Sequence, residues 1–143
     1  MSVELLAVEP TIQDITNGLQ RVLATIAGLR AYAIEPDKPN FPCAYPRLVD
    51  WSYDQQYGGG STLWHFDIWI LVGIESQFGR AQNEINAYLA PSGTNSIKAA
   101  IDADPRLQNT VSYATATGGG AYGRVDIAGL AALGASLRVE VRT

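Results

Sequence analysis

His65 and Asp67 are the pair in this chain best suited to proton chemistry. His65 is the only histidine, and histidine is the side chain that most readily trades protons near neutral pH. Asp67 stands two positions on, on the same face of a strand, where it can orient the ring. A nucleophilic site also needs a positioned serine or cysteine, and none stands in a recognisable frame. The expectation is a half-buried strand histidine. Cys43, the single cysteine, sits between Pro42 and Ala44 with no activating partner nearby in sequence. It reads as a small residue tucked under a loop. One histidine and one cysteine are a poor start for a metal site. Asp50 with Asp54, and Asp102 with Asp104, read as solvated acids and helix-end charges. No catalytic, cofactor or metal residue is expected, and the chain is not expected to be an enzyme.

Two glycine clusters, Gly58-Gly59-Gly60 and Gly118-Gly119-Gly120, invite a phosphate-cradle reading. Neither has the lysine of a nucleotide-binding loop or the spaced glycines of a dinucleotide fingerprint. Each lies between expected strands, whereas a cradle needs N–H groups converging at a helix start. They read as hairpin-like loops, or loops that order on assembly. The aromatic residues Trp51, Tyr53, Tyr57, Trp64, Phe66 and Trp69 are harder to absorb into one small core. Tryptophan and tyrosine are enriched at subunit contacts. The candidate interface residues are Trp51, Tyr57, Gly59, Trp69, Gly119 and Tyr122.

The elements that must position these residues follow from periodicity and punctuation. Residues 2–9 read as a short extended arm. Thr11 with Asp14 resembles a capping box, and Ile12, Ile15, Leu19, Val22, Leu23 and Ile26 form one helical stripe that ends near Gly28. Gly18 allows a neighbouring strand to approach. Residues 29–34 read as a strand. The following segment carries Pro36, Pro39, Pro42 and Pro46 and reads as a stiff surface loop. Residues 47–54 read as a strand and 55–62 as a flexible connection. Residues 63–72 alternate with large apolar groups on both faces, the pattern of a central strand.

Helices are expected at 78–89 and 96–103, separated by Pro91, Ser92 and Gly93, with Asn95 or Ser96 as the second cap. Pro105 ends the second of them. Residues 111–117 read as a strand, 117–124 (TGGGAYGR) as a second flexible loop, and 133–141 as a closing strand. The fold class expected is α+β: a single domain with a mostly antiparallel sheet, a long N-terminal helix and two short helices packed on one face.

Composition bounds the function classes. A chain of 143 residues can bury a core without disulfides, and 47% apolar with 17% charged residues fits a folded domain. The net charge of −4 comes without a Lys/Arg-rich run, which argues against a nucleic-acid reader. No apolar run approaches the ~20 residues that span a bilayer, and the first residues have no secretory pattern, so a cytosolic product is the expectation.

The stretches YLAPSG (88–93), SIKAAIDAD (96–104) and LGASLRVEV (133–141), in this order behind FDIWILVG (66–73), resemble the tail-terminator proteins of long-tailed phages infecting actinobacteria, a group adjoining tail-completion and neck proteins. The likeness covers most of the chain as one domain, 1–143, and fails to align over the glycine-rich stretch before Arg124. It implies a structural virion protein that forms a ring, usually hexameric, at the head-proximal end of the tail tube. Such a ring ends tube polymerisation and offers the head–tail joining surface. The implied partners are copies of itself, the tail-tube protein and the head–tail connector, with no membrane. DNA passes through the channel without sequence-specific binding, for which an acidic subunit is suited. The implied location is the virion tail or neck, assembled in the host cytoplasm. A connector, neck or tube subunit is the alternative within this class. A small-ligand-binding protein or enzyme using His65 and the aromatic cluster is the alternative from another.

Overall fold

Thr11 starts the first helix by a reciprocal exchange. Its backbone N–H donates to Asp14 Oδ2 at 3.0 Å, and Asp14 N–H donates to Thr11 Oγ1 at 3.1 Å. The structure, a computed structural model, describes residues 10–53, 62–74 and 78–143. The expected arm at 2–9 lies outside the described residues, as does the expected connection at 55–62 except for Thr62, which belongs to a strand.

Helix α1 (Ile12–Leu23) buries Ile15, Leu19, Val22 and Leu23 on one stripe. It is 12 residues long, the same length as α2 (Phe78–Leu89), so the expected long N-terminal helix is corrected to one of three short ones among the described residues. The third, α3 (Ile97–Ala103), has 7 residues. The apolar stripe runs past the end of α1 because the chain tightens after it. Thr25 N–H bonds Val22 O, Ile26 N–H bonds Leu23 O, and the Thr25 hydroxyl also donates to Val22 O at 2.7 Å. These three-residue turns keep Ile26 buried outside the helix. Gly28, at φ +83°, then turns the chain.

The sheet has five strands: β1 (Arg30–Ala31), β2 (Cys43–Tyr53), β3 (Thr62–Gly73), β4 (Tyr113–Ile127) and β5 (Leu130–Arg142), in the order β1-β2-β3-β5-β4. β1 runs parallel to β2 and every other pair is antiparallel. The strand expected at 29–34 shrinks to two residues, because only Arg30 and Ala31 pair with Cys43 and Ala44. β2 starts earlier than expected and runs through Pro46. A proline is tolerated there because no strand lies beyond that side of β2 past Ala44 among the described residues.

β3 is central, as its two apolar faces predict, and one face carries the core. Phe66, Ile68, Ile70 and Val72 lie under Leu19 and Leu23 of α1, Ile85 of α2 and Ile97 and Ile101 of α3. Burying each such side chain fully is worth roughly 1.5–3 kcal/mol. The helices are set by their own punctuation. Ser96 caps α3 by accepting from Ala99 N–H at 3.0 Å, and its hydroxyl donates to Ala90 O at 2.5 Å, tying the Pro91–Gly93 turn to the cap. The close approach at Gly18 comes from a loop residue and not a strand: a Cβ on Gly18 would lie 3.1 Å from Leu107 Cβ. Leu107 is fully buried at the head of a left-handed turn that continues through Gln108 and Asn109.

The largest departure from expectation is at 117–124. This stretch is the middle of β4, a strand of 15 residues, and not a loop. The ladder with β5 shifts register at Ala116/Gly118 and again at Gly120/Gly123. At the first shift Gly118 supplies a backbone angle that side chains oppose, at φ +154°, and at the second it is Ala121, at φ +55°, that takes the left-handed conformation. Ala128 and Gly129, at φ +52° and +79°, close the β4–β5 hairpin in a two-residue turn.

Candidate functional site

The face of the sheet away from the helices divides into two halves. One half is apolar: Cys43, Tyr45, Leu71, Ile127 and Ala132 are buried beneath Tyr32, Phe41, Trp69 and Val125. The other half is charged. His65 and Asp67 of β3 both lie on it, with Asp50 of β2 and Arg138 and Glu140 of β5 as cross-strand neighbours.

His65 is not oriented by Asp67. Its Nδ1 lies 2.5 Å from Asp50 Oδ1, and its Nε2 is 3.7 Å from Glu140 Oε2. Asp67 instead accepts from Arg138 Nε at 2.7 Å. That hydrogen bond, with the Asp67 charge, raises the Arg138 guanidinium further above its ordinary value. The switch of partner follows from the β-bulge at Leu48/Asp50, which brings Asp50 opposite His65. Sequence spacing alone carries no signal for that bulge.

Cys43 is fully buried, and burial pushes its thiol up to about 11 against a smaller opposing effect of Arg30. It pairs across the sheet with Leu71, six residues along β3 from His65, which is about 20 Å of strand. The histidine and the cysteine therefore do not form a dyad. Among the described residues no group of three His, Cys, Asp or Glu side chains is arranged to hold a metal ion. Asp102 is ion-paired with Lys98 at 2.6 Å, and Asp104 accepts from Gln108 N–H at 3.1 Å, so both act at the helix end. No helix among the described residues is long and apolar enough to cross a membrane.

The candidate interface residues scatter over the two sides of the sheet. Trp51 is 49% exposed and tilts against Trp64, with ring centres 6.4 Å apart. Trp69 is half-buried in the apolar half of the open face, with the Arg47 guanidinium 5.8 Å above its ring. Gly119 lies in β4 against Ser136 and Leu137 of β5. Tyr122 is 47% exposed, and its hydroxyl donates to Asn86 Oδ1 at 3.1 Å. Tyr57 and Gly59 lie outside the described residues.

Three features of this surface go beyond the sequence reading, which singled out Trp51 and Tyr53 but not their alignment with Val49. Val49, Trp51 and Tyr53 form an exposed stripe at every second position of β2. A cleft of about 360 Å³ opens beside β4 on the helix side, walled by Leu89, Pro91, Ala116, Tyr122 and Leu137. A second depression lies behind the same glycines on the open face, lined by Asp67, Ser136 and Arg138. The run of glycines leaves both faces of β4 without side chains there, and both hollows follow from that.

No family model and no curated protein sequence matches this chain.

Proposed function

We propose that this chain is a structural subunit of a phage tail. It forms a ring at the head-proximal end of the tail tube, ends tube growth and presents the head-joining surface. It acts without catalysis, with further copies of itself, the tube subunit and the connector as partners, in the virion. The resemblance of YLAPSG, SIKAAIDAD and LGASLRVEV supports the reading, and these stretches form the α2–α3 corner and the inner strand β5.

One structural observation carries the most weight. Among the described residues the sheet ends on two unlike edges: β4, with no strand on its outer side, and residues 45–53 of β2, which extend past the two-residue β1. Two different patches on one subunit are what a head-to-tail ring requires, and it closes when the rotation between copies is right. Free strand edges supply the adhesive groups.

The competing enzyme reading rests on His65. Its neighbours are carboxylates and a strand of distance separates it from the one cysteine, so it has the surroundings of a cross-strand ion pair. A neck or connector position remains the alternative within the structural class.

Electron microscopy of lysates from a phage lacking the gene tests the proposal. Overlong tails beside separate DNA-filled heads are the expected result. Normal-length tails beside unjoined heads move the protein to the neck. Intact infectious particles overturn the structural role.

A further inference from the structure

We infer that the aromatic stripe at the end of β2 in one copy seats in the cleft beside β4 of a second copy, making a head-to-tail contact between unlike patches. The inference rests on the self-assembly proposed above and names the surfaces that meet.

Among the described residues the stripe is a knob without a socket in its own chain. Val49, Trp51 and Tyr53 are 41%, 49% and 68% exposed. Large aromatic groups left half in water at the centre of a patch are the usual anchors of interfaces. The cleft is a socket without a knob. Its volume of about 360 Å³ falls at the low end of the ~300–1,000 Å³ range of ligand-holding clefts. It is apolar on most sides, with Lys98 at its rim.

Position matches the two. Trp51 pairs with Trp64, which packs on the main core, so Trp51 belongs to the helix side of the sheet. The cleft is walled by the ends of α2 and α3 and is on that side too. The knob is on the β2 edge and the socket is on the β4 edge, at opposite limits of the main sheet. β2 runs antiparallel to β3, β3 to β5, and β5 to β4. A second copy laid with its β2 beside β4 therefore continues the antiparallel alternation.

The register is offset. Within one chain Trp51 is level with Trp64, Val141 and Ala114, whereas the cleft is centred near Gly118, level with Arg138. Val141 and Arg138 are three residues apart on β5, so seating needs a shift of about 10 Å along the strands. A constant stagger of this kind tilts strands and lets a sheet close on itself.

Charge does not oppose the same placement. Asp50 precedes Trp51 and faces the open side, 62% exposed and beside His65. Arg138 faces the open side behind the glycines of β4, 39% exposed and held by Asp67. Seating Trp51 on the helix side brings the Asp50–His65 pair toward the Asp67–Arg138 pair on the other, so no unmatched like charges are forced together.

Complementary variants test the contact. Sedimentation velocity, run up to millimolar subunit, compares the intact chain with Trp51→Ala, which removes the knob, and Lys98→Trp, which fills the socket from an exposed helix position. Tyr122→Ala removes a wall of the socket and replaces Lys98→Trp should circular dichroism show that variant unfolded. Assembly of the intact chain is expected to weaken at least about thirtyfold in either variant, as for a hot-spot tryptophan. Mixing the two variants is expected to restore pairs and nothing larger, because one sound contact remains between them. An intact chain that stays monomeric throughout overturns the inference, as does a mixture that gives no pairs. Assembly unchanged in both variants also overturns it while leaving the ring itself standing. The tail-length phenotype is read separately, so failure of this contact and failure of the terminator role are distinguishable.

Discussion

Gly119→Ala and Gly120→Ala differ by one position in the same strand, yet their expected effects on stability are opposite in kind. A Cβ on Gly119 would come closer than 3.0 Å to the Ser136 carbonyl oxygen and within 3.3 Å of Leu137 Cα. Both atoms are backbone in β5, so no rotamer change relieves the overlap. The strands must separate by roughly 1 Å, at an overpacking cost of about 1–3 kcal/mol. The neighbouring ladder bonds suffer too, each worth about 1 kcal/mol. The sum is roughly 2–4 kcal/mol. At about 2–4 °C per kcal/mol for a domain near this size, Tm falls by roughly 5–15 °C. A Cβ on Gly120 meets nothing within 4 Å, and its φ lies outside the left-handed region. There the loss of unfolded-chain freedom dominates, and Gly120→Ala is neutral or stabilising by up to about 1 kcal/mol. Urea unfolding followed by tryptophan fluorescence, at one protein concentration, measures both. If the two variants differ by less than about 0.5 kcal/mol, the account of β4 as a strand pressed on β5 at Gly119 is wrong.

Cys43 offers a second check. A thiol fully buried and pushed up to about 11 is expected to react with an aromatic disulfide reagent only at the rate of opening of the sheet. Labelling as fast as free cysteine contradicts its burial. Because its folded pKa is raised, the native state holds the thiol proton that the unfolded chain releases first. Stability is thus fully present below the ordinary thiol value of 9.0 and lost as pH rises toward about 11. Cys43→Ala is expected to flatten that alkaline slope, which denaturant midpoints across the window measure. Thr11→Ala removes the acceptor for Asp14 N–H and is expected to cost about 1 kcal/mol by thermal melting. His65→Gln is expected to change stability by no more than about 1 kcal/mol and to leave assembly intact. Loss of assembly in a folded His65→Gln protein contradicts the cross-strand reading of the Asp50 pair.

The sequence announced those elements whose signals are local. Residues 78–89 form the expected helix to the residue. Thr11 with Asp14 forms its capping box, and β3 has the central position its two apolar faces predict. Local signals mislead where a distant strand decides. The stripe from Ile12 to Ile26 obeys a helical period throughout, but three-residue turns hold its last member on the core as well as a helix does. Glycines at 118–120 read as a loop because glycine breaks strands on average. Here their lack of Cβ lets β4 bulge and press on β5. The flanks did carry a trace of the truth: Tyr113, Thr115 and Thr117 before the glycines, and Val125 and Ile127 after them, are strand formers on both sides. The partner of His65 had no such trace, since a bulge in β2 brings in Asp50 and leaves Asp67 to Arg138.

The two edges are also guarded unequally, and this bears on how growth stops. β2 carries Pro46, which has no N–H to give, a bulge at Leu48/Asp50 and the charged Arg47 and Asp50. These are the usual devices that keep an edge from pairing with any passing strand. β4 carries glycines and a cleft instead. A guarded edge meeting a permissive one pairs only where side chains fit, and the rotation between copies then decides whether a ring closes. If lateral contacts occupy the edges, axial contacts fall to the ends of the strands. Those ends are unlike: one is the Ala128-Gly129 turn with Leu130 46% exposed, and the other is the end of β2 and the start of β3. On the proposed reading one of these ends fits the tube and the other does not, because a subunit whose two axial ends complement each other would extend the tube it is meant to close.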